Sequence, residues 1–124
     1  MEYIDIHCHP NFPEYDKDRE EIIQKMKDQK VLGICAGTDF DKSVSSVELA
    51  NKHHNLYATI GLHPTHAHDG FDYDKYMELG KNNKKVVAIG ECGLDYFRKE
   101  GDADEKRIQK EIFLQHVKLA KALN

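Results

Sequence analysis

Apolar residues along the chain gather in four short runs, Tyr3–Ile6, Val31–Ala36, Leu56–Ile60 and Val86–Ile89. Each is strand length and rich in β-branched or aromatic residues, so each predicts a β-strand. The runs are continuously apolar rather than alternating, which predicts strands covered on both faces. Helical spacing lies between and after them. Glu20–Gln29 carries Ile22, Ile23 and Met26 on one face, and Ser43–Lys52 carries Val44, Val47 and Ala50, with Asp41 as the expected N-cap. A shorter helix is predicted over Tyr73–Leu79, closed by Gly80. The longest helix starts at Asp102, with Glu105 at capping-box spacing. Its expected apolar stripe is Ile108, Ile112, Phe113, Val117, Ala120 and Leu123.

Strand and helix thus alternate four times, the pattern of a parallel sheet with right-handed crossovers. Each unit takes about 31 residues, and eight such units would need roughly 250, the usual size of a (β/α)8 barrel. The 124 residues therefore have the length and rhythm of half a barrel in one domain, 1–124. A four-strand doubly wound sheet has the same rhythm, and periodicity alone does not separate the two.

The topology matters because of the residues at the C-terminal end of each strand. His7 and His9 end the first, "AGTD" (Ala36 to Asp39) the second, "GLHPTHAH" (Gly61 to His68) the third, and "GECGLDY" (Gly90 to Tyr96) the fourth. In a parallel sheet these segments gather on one rim, where the binding sites of α/β folds lie. Residues two apart on a strand share a face, so the imidazoles of His7 and His9 would converge on one cation or a close metal pair. Asp5 has the same parity and is expected to orient one of the rings. Cys8 has the opposite parity and is expected to pack against a helix. Ordinary hydrogen-bonded histidines would fit an H-x-H pair too, and Glu91 alone would serve as a salt-bridge residue; their meeting on one rim is what favours a metal.

The other candidates are weaker. His63, before Pro64 at a strand end, belongs either to the site or to the loop. His66 and His68 are expected to be exposed. His53 and His54 end a helix and suit its C-terminal dipole. His116 lies within the last helix as a structural residue. Asp95 fits a turn, a cap or the site equally. The charged runs Asp16–Glu21 and Lys81–Lys85 read as solvated faces.

Composition narrows the class. Charged residues are 32% and hydrophobic ones 40%, as in soluble globular proteins. A net charge of −4 gives no bulk attraction to nucleic acids or anionic membranes, so any nucleic-acid substrate must be held by a local patch or a bound cation. Three cysteines, Cys8, Cys35 and Cys92, form no C-x-x-C pair and are read as free thiols in a reducing compartment. With no apolar leader and no span-length run, a cytoplasmic location is expected and no membrane association.

Three motifs, "IDIHCHP", "TIGLHP" and "AIGECGLDYF", resemble in order, spacing and wording the TatD-like family of metal-dependent deoxyribonucleases, and the likeness runs the length of the chain. The resemblance implies a (β/α)8 barrel of the amidohydrolase type that hydrolyses DNA phosphodiesters with divalent cations, two per complete site, of Mg, Mn or Zn. By the same resemblance His7 and His9 match the first metal-binding pair. Glu91 matches the metal-binding, catalytic glutamate that can bridge two ions. His63 and Asp95 fall in motifs near the substrate.

The family also places two further histidine ligands and an aspartate in the second half of the barrel, and they have no counterpart in this chain. The chain is therefore expected to be an N-terminal half with unpaired edge strands. Those edges would favour a homodimer or association with a separate second half-barrel. The alternative function is that of a catalytically incomplete fragment or assembly module.

Overall fold

The computed structural model describes residues 1–97 and 102–124. Its strands are β1 (Tyr3–Cys8), β2 (Val31–Ala36), β3 (Leu56–Ile60) and β4 (Val86–Ile89). They alternate with α1 (Arg19–Asp28), α2 (Phe40–Lys52), α3 (Tyr73–Lys81) and α4 (Ala103–Leu123), and short 3-10 turns cover Pro13–Tyr15 and Pro64–Asp69. All strand pairs are parallel, in the order β1-β2-β3-β4. That order decides between the two predicted architectures. A doubly wound sheet reverses its order at a switch point, whereas each strand here lies beside its sequence neighbour, as in a (β/α)8 barrel.

The main core lies between the inner strands and the helices. Ile23, Cys35, Ala50, Leu56, Ala58, Ile60 and Leu119 are inaccessible to solvent, and Tyr76 and Val47 nearly so. The expectation that all four strands are covered on both faces holds for β2 and β3 only. Ile4 and Ile6 of β1 are 61% and 74% exposed, and Val87 of β4 is 49% exposed. Each edge strand has a single neighbour, so half of its ladder groups and much of its side-chain surface have nothing to pack on.

Helix boundaries differ from the sequence pattern for local reasons. Asp39, not Asp41, caps α2, its carboxylate accepting the Lys42 N–H at 2.7 Å. Gly80 lies inside α3 rather than closing it. A Cβ there would meet Leu123 Cδ1 at 2.5 Å and Ile60 Cδ1 at 3.2 Å, so this glycine is a close-packing residue between α3, α4 and β3.

The inward face of α4 matches the expected apolar stripe only in part: Ile112 is buried and Ile108 and Leu123 pack against the core. Its buried residues are Glu105, Gln109, Ile112, His116 and Leu119, while Phe113 and Val117 are more than a third exposed. Burial of those polar groups is possible because each is hydrogen-bonded. His116 accepts the Leu62 N–H at 2.9 Å and shares its other ring nitrogen with the Ile112 carbonyl at 2.8 Å. The side-chain amide of Gln109 clamps the backbone of Asp95 from both sides, at 2.8 and 3.0 Å. Glu105 pairs with His68 and accepts from Gln109.

The charged runs are not merely solvated either. Lys85 donates to the carbonyls of His53, His54 and Leu56 and lies over the Tyr57 ring, closing the rim opposite the histidines. His53, at the C-cap of α2, is buried between Lys27 and Glu20 rather than free at the helix end.

Candidate metal centre

Backbone hydrogen bonds continue past the strand ends and stitch the loops of one rim together. Gly37 N–H donates to Thr59 O, His63 N–H to Thr38 O, Gly90 N–H to Ile60 O and Glu91 N–H to Gly37 O, all between 2.7 and 3.1 Å. This ladder sets Glu91, two residues beyond β4, opposite the end of β1. Gly61 makes the approach possible, because a Cβ there would lie 2.7 Å from Gly90 C and 2.8 Å from Glu91 O. The hydroxyl of Ser43 links both backbone groups of Gly61 to α2.

The β1–β2 register shifts between Asp5 and Cys8, where three steps on β1 oppose two on β2. Such a bulge re-aims the side chains at a strand end. Its effect on Asp5 corrects the sequence expectation: the carboxylate accepts the backbone N–H of His7 at 3.1 Å instead of orienting an imidazole. Cys8 faces the helices as expected and packs beside Met26 against the core.

At the rim, His7 Nε2 and His9 Nε2 lie 3.2 Å apart, and Glu91 Oε2 lies 3.4 and 4.0 Å from them. His63 joins from the third loop, its Nε2 3.6 Å from the other carboxylate oxygen of Glu91. Two of the rings have defined tautomers. His9 Nδ1 lies 3.1 Å from the Ala36 carbonyl, so it carries the proton and leaves a lone pair on Nε2. His63 Nδ1 accepts the Thr65 N–H, so its Nε2–H points at Glu91.

His7, His9 and Glu91 offer ligand atoms all within 4.8 Å of one another. Four ligands about 2.1 Å from a zinc-like ion stand roughly 3.4 Å apart. The group therefore fits a divalent cation after adjustments of a few tenths of an ångström. Nitrogen and carboxylate donors suit Zn, Mn or Fe, and leave the identity open.

The supporting residues were largely hidden from the sequence. Arg19, in a run read as solvated, donates to the carbonyls of Pro10 at 2.6 Å and Phe12 at 2.8 Å, fixing the loop that carries His9. Asn11 ties the same loop to Ser45 of α2 at 2.8 Å. The Phe12 ring lies against His9, with centroids 4.5 Å apart and the Lys42 ammonium over it. An arginine at the start of a helix carries no sequence signal for such a role.

Asp95 is four residues past Glu91 in a loop whose turn it shapes, its carboxylate accepting the Phe97 N–H at 3.1 Å. His66 pairs with Asp69 and His68 with Glu105, both histidines partly open to solvent. Burial lowers the pKa of His116 and raises those of Tyr76 and Cys92, the last helped by the nearby Glu91 charge.

Fold and site together define a parallel α/β protein of the (β/α)-barrel kind, with a His, His and Glu group at the C-terminal rim of its strands. Comparison with known proteins identifies the family. Residues 4–124 match the model of the TatD related DNase family, and the chain belongs to it. It is 39% identical over 123 residues to the uncharacterized metal-dependent hydrolase YabD of Bacillus subtilis, covering 98% of this chain and 47% of that protein. It is 26% identical over 133 residues to the human deoxyribonuclease TATDN3, covering 98% of this chain and 48% of that one. The crystal structure of the TatD homologue YjjV from Escherichia coli superposes with a TM-score of 0.84 at 32% identity, covering 98% of this chain and 47% of that chain. The chain thus spans about half the length of the relatives it matches. Among the described residues no helix is long and apolar enough to cross a membrane.

Proposed function

We propose that this chain supplies the His7, His9 and Glu91 ligands of a divalent-metal phosphodiesterase that hydrolyses DNA. The observation that carries the reading is the convergence of those three side chains on one point at the rim, with Glu91 turning its other oxygen toward His63. Its two oxygens thus face different neighbours, Oε2 the His7 and His9 pair and Oε1 His63. When bound, such cations neutralise the phosphate, lower the pKa of a water and stabilise the leaving oxygen.

The protein's own part is to present and hold the ligands. The Ala36 carbonyl fixes the His9 tautomer so that its Nε2 lone pair faces inward. His63 stands beside Glu91, its Nε2 3.6 Å from the carboxylate, and its own ring is locked by Thr65. Asp95 keeps the loop beyond Glu91 in its turn at the substrate side. With a net charge of −4, substrate affinity rests on the cations rather than on a basic surface.

The second reading is a chain that binds metal but does not turn over, favoured by the ligand group of only three side chains among the described residues. In either case a complementary half-barrel would pair with the β4 edge. A groove there of about 430 Å³ is lined by Val86 to Ile89, Ala120 and Leu123. A cytoplasmic location is part of the proposal and is supported by three cysteines free of disulfides.

The test is degradation of 3′-labelled single-stranded DNA by the purified chain with Mg2+ or Mn2+, with and without chelator, in wild type and Glu91→Gln. Chelator-sensitive turnover that the variant loses supports the hydrolase. Mn2+ binding without turnover supports the second reading. Wild-type turnover in Glu91→Gln refutes the assigned role of Glu91.

A further inference from the structure

We infer that Cys8 and Cys35 are a reversible disulfide pair whose closure displaces His7 and His9. The two residues are direct Cα partners across β1 and β2. Paired strands run about 4.8 Å apart, inside the roughly 4.4–6.8 Å window that a disulfide spans. Both side chains lie on the helix side of the sheet in the main core, where the Cys8 thiol donates to the carbonyl of Ile34, the residue before Cys35, at 3.4 Å. Cys8 is partly exposed and Cys35 fully buried, so an oxidant from solvent meets Cys8 first. Cys92 lies on the loop after β4 and contacts the Ile89 carbonyl instead.

With a peroxide as oxidant the step balances. Cys8 Sγ takes one peroxide oxygen to become a sulfenic acid and one water is released. Cys35 Sγ then attacks the Cys8 sulfur, the S–S bond forms and the S–O bond breaks. The leaving hydroxide takes the Cys35 proton as a second water. A thiol such as glutathione reverses the change.

Closure must turn the Cys8 thiol from the Ile34 carbonyl and bring the two sulfurs to about 2.05 Å. The strand that yields is β1, because it is an exposed edge with a bulge ending at Cys8, whereas Cys35 sits in the buried core. His7 and His9 flank Cys8 in sequence and move with it. The pairing rests on the register of the two strands and is independent of metal binding.

The test oxidises the purified chain with hydrogen peroxide, alkylates the remaining thiols and maps tryptic peptides without reduction. The three cysteines fall in separate peptides, 1–17, 31–42 and 86–98. The expected product links 1–17 to 31–42, is two hydrogens lighter than its parts and separates on reduction. In Cys35→Ser the link is absent and Cys8 ends as a sulfenic or sulfinic acid. Should that variant not fold, Cys8→Ser is expected to leave Cys35 unmodified. Oxidised wild type with Cys8 as sulfinate and Cys35 alkylated, or linked through 86–98, would overturn the pairing. Histidine ring spectra test the displacement: the His7 and His9 signals should shift on oxidation and that of His116 should not. Unmoved His7 and His9 signals in the disulfide form would overturn the coupling.

Discussion

Replacing His116 by Phe should remove both imidazole hydrogen bonds, to Leu62 and to the Ile112 carbonyl, while keeping a ring in the core. The imidazole is buried in α4, lies against Phe71 with centroids 4.2 Å apart, and accepts the Leu62 N–H at 2.9 Å. Phenylalanine keeps the shape and the stacking but offers no acceptor. The Leu62 N–H, 54 residues away and buried, is then orphaned, which costs about 1–3 kcal/mol. Against a typical domain stability of roughly 5–15 kcal/mol this is a large fraction.

The same residue predicts a pH dependence. Its native pKa is lowered from 6.5 by burial, so the unfolded chain binds the proton more readily. The contribution of neutral His116 is therefore complete above about pH 6.5, where the unfolded imidazole is also neutral, and is lost as pH falls through the depressed native value. Urea unfolding of wild type and His116→Phe at several pH values between 4.5 and 8 measures both effects. The variant should be less stable at pH 8, and the gap should shrink on acidification. Equal stability at pH 8, or a gap that does not change with pH, would refute the account of His116 as a neutral acceptor that pins the β3 loop to α4.

The remaining predictions address the site and its opposite rim. Arg19→Ala frees the Pro10 and Phe12 carbonyls and should weaken Mn2+ binding by about tenfold, one charge-assisted bond of roughly 1.5 kcal/mol, with the helical circular dichroism unchanged; unaltered affinity would show that the His9 loop holds its place without it. Gly61→Ala drives a methyl into the Gly90–Glu91 backbone and should destabilise the chain by about 1–3 kcal/mol and abolish Mn2+ binding, both read by titration and denaturation. Lys85→Met removes three carbonyl contacts at the far rim and should lower stability by roughly 1–2 kcal/mol while leaving Mn2+ affinity intact. A loss of affinity there would contradict the placement of the site.

Sequence and structure divide the information unevenly. The strands were legible because β-branched apolar runs bounded by turns have one good reading: β2, β3 and β4 coincide with Val31–Ala36, Leu56–Ile60 and Val86–Ile89. The rim location of His7, His9, His63 and Glu91 was also legible, since parallel strands with crossover helices must end on the same side. Finer features were not. Asp39 and Asp41 are both sound N-caps, and only the course of the chain from β2 selects Asp39. The expected apolar stripe on α4 held at Ile108, Ile112 and Leu123 and missed the polar half of the face, because Gln109 and His116 find backbone partners that are 14 and 54 residues away, contacts that no local pattern encodes.

The sequence by itself determined that this is a parallel α/β chain, that its candidate chemistry lies beyond the strand ends, and which residue types stand there. Local propensity and periodicity suffice for that, because they act within a few residues. Only the tertiary structure decided the strand order β1-β2-β3-β4, and with it the barrel over the doubly wound sheet. It alone revealed the bulge that turns Asp5 to the backbone, the glycine that admits Glu91, the arginine that holds the His9 loop, and the two cysteines in register. Each of these depends on which segments meet in space, and the pairing of distant segments is set by packing and backbone hydrogen bonding across the whole sheet.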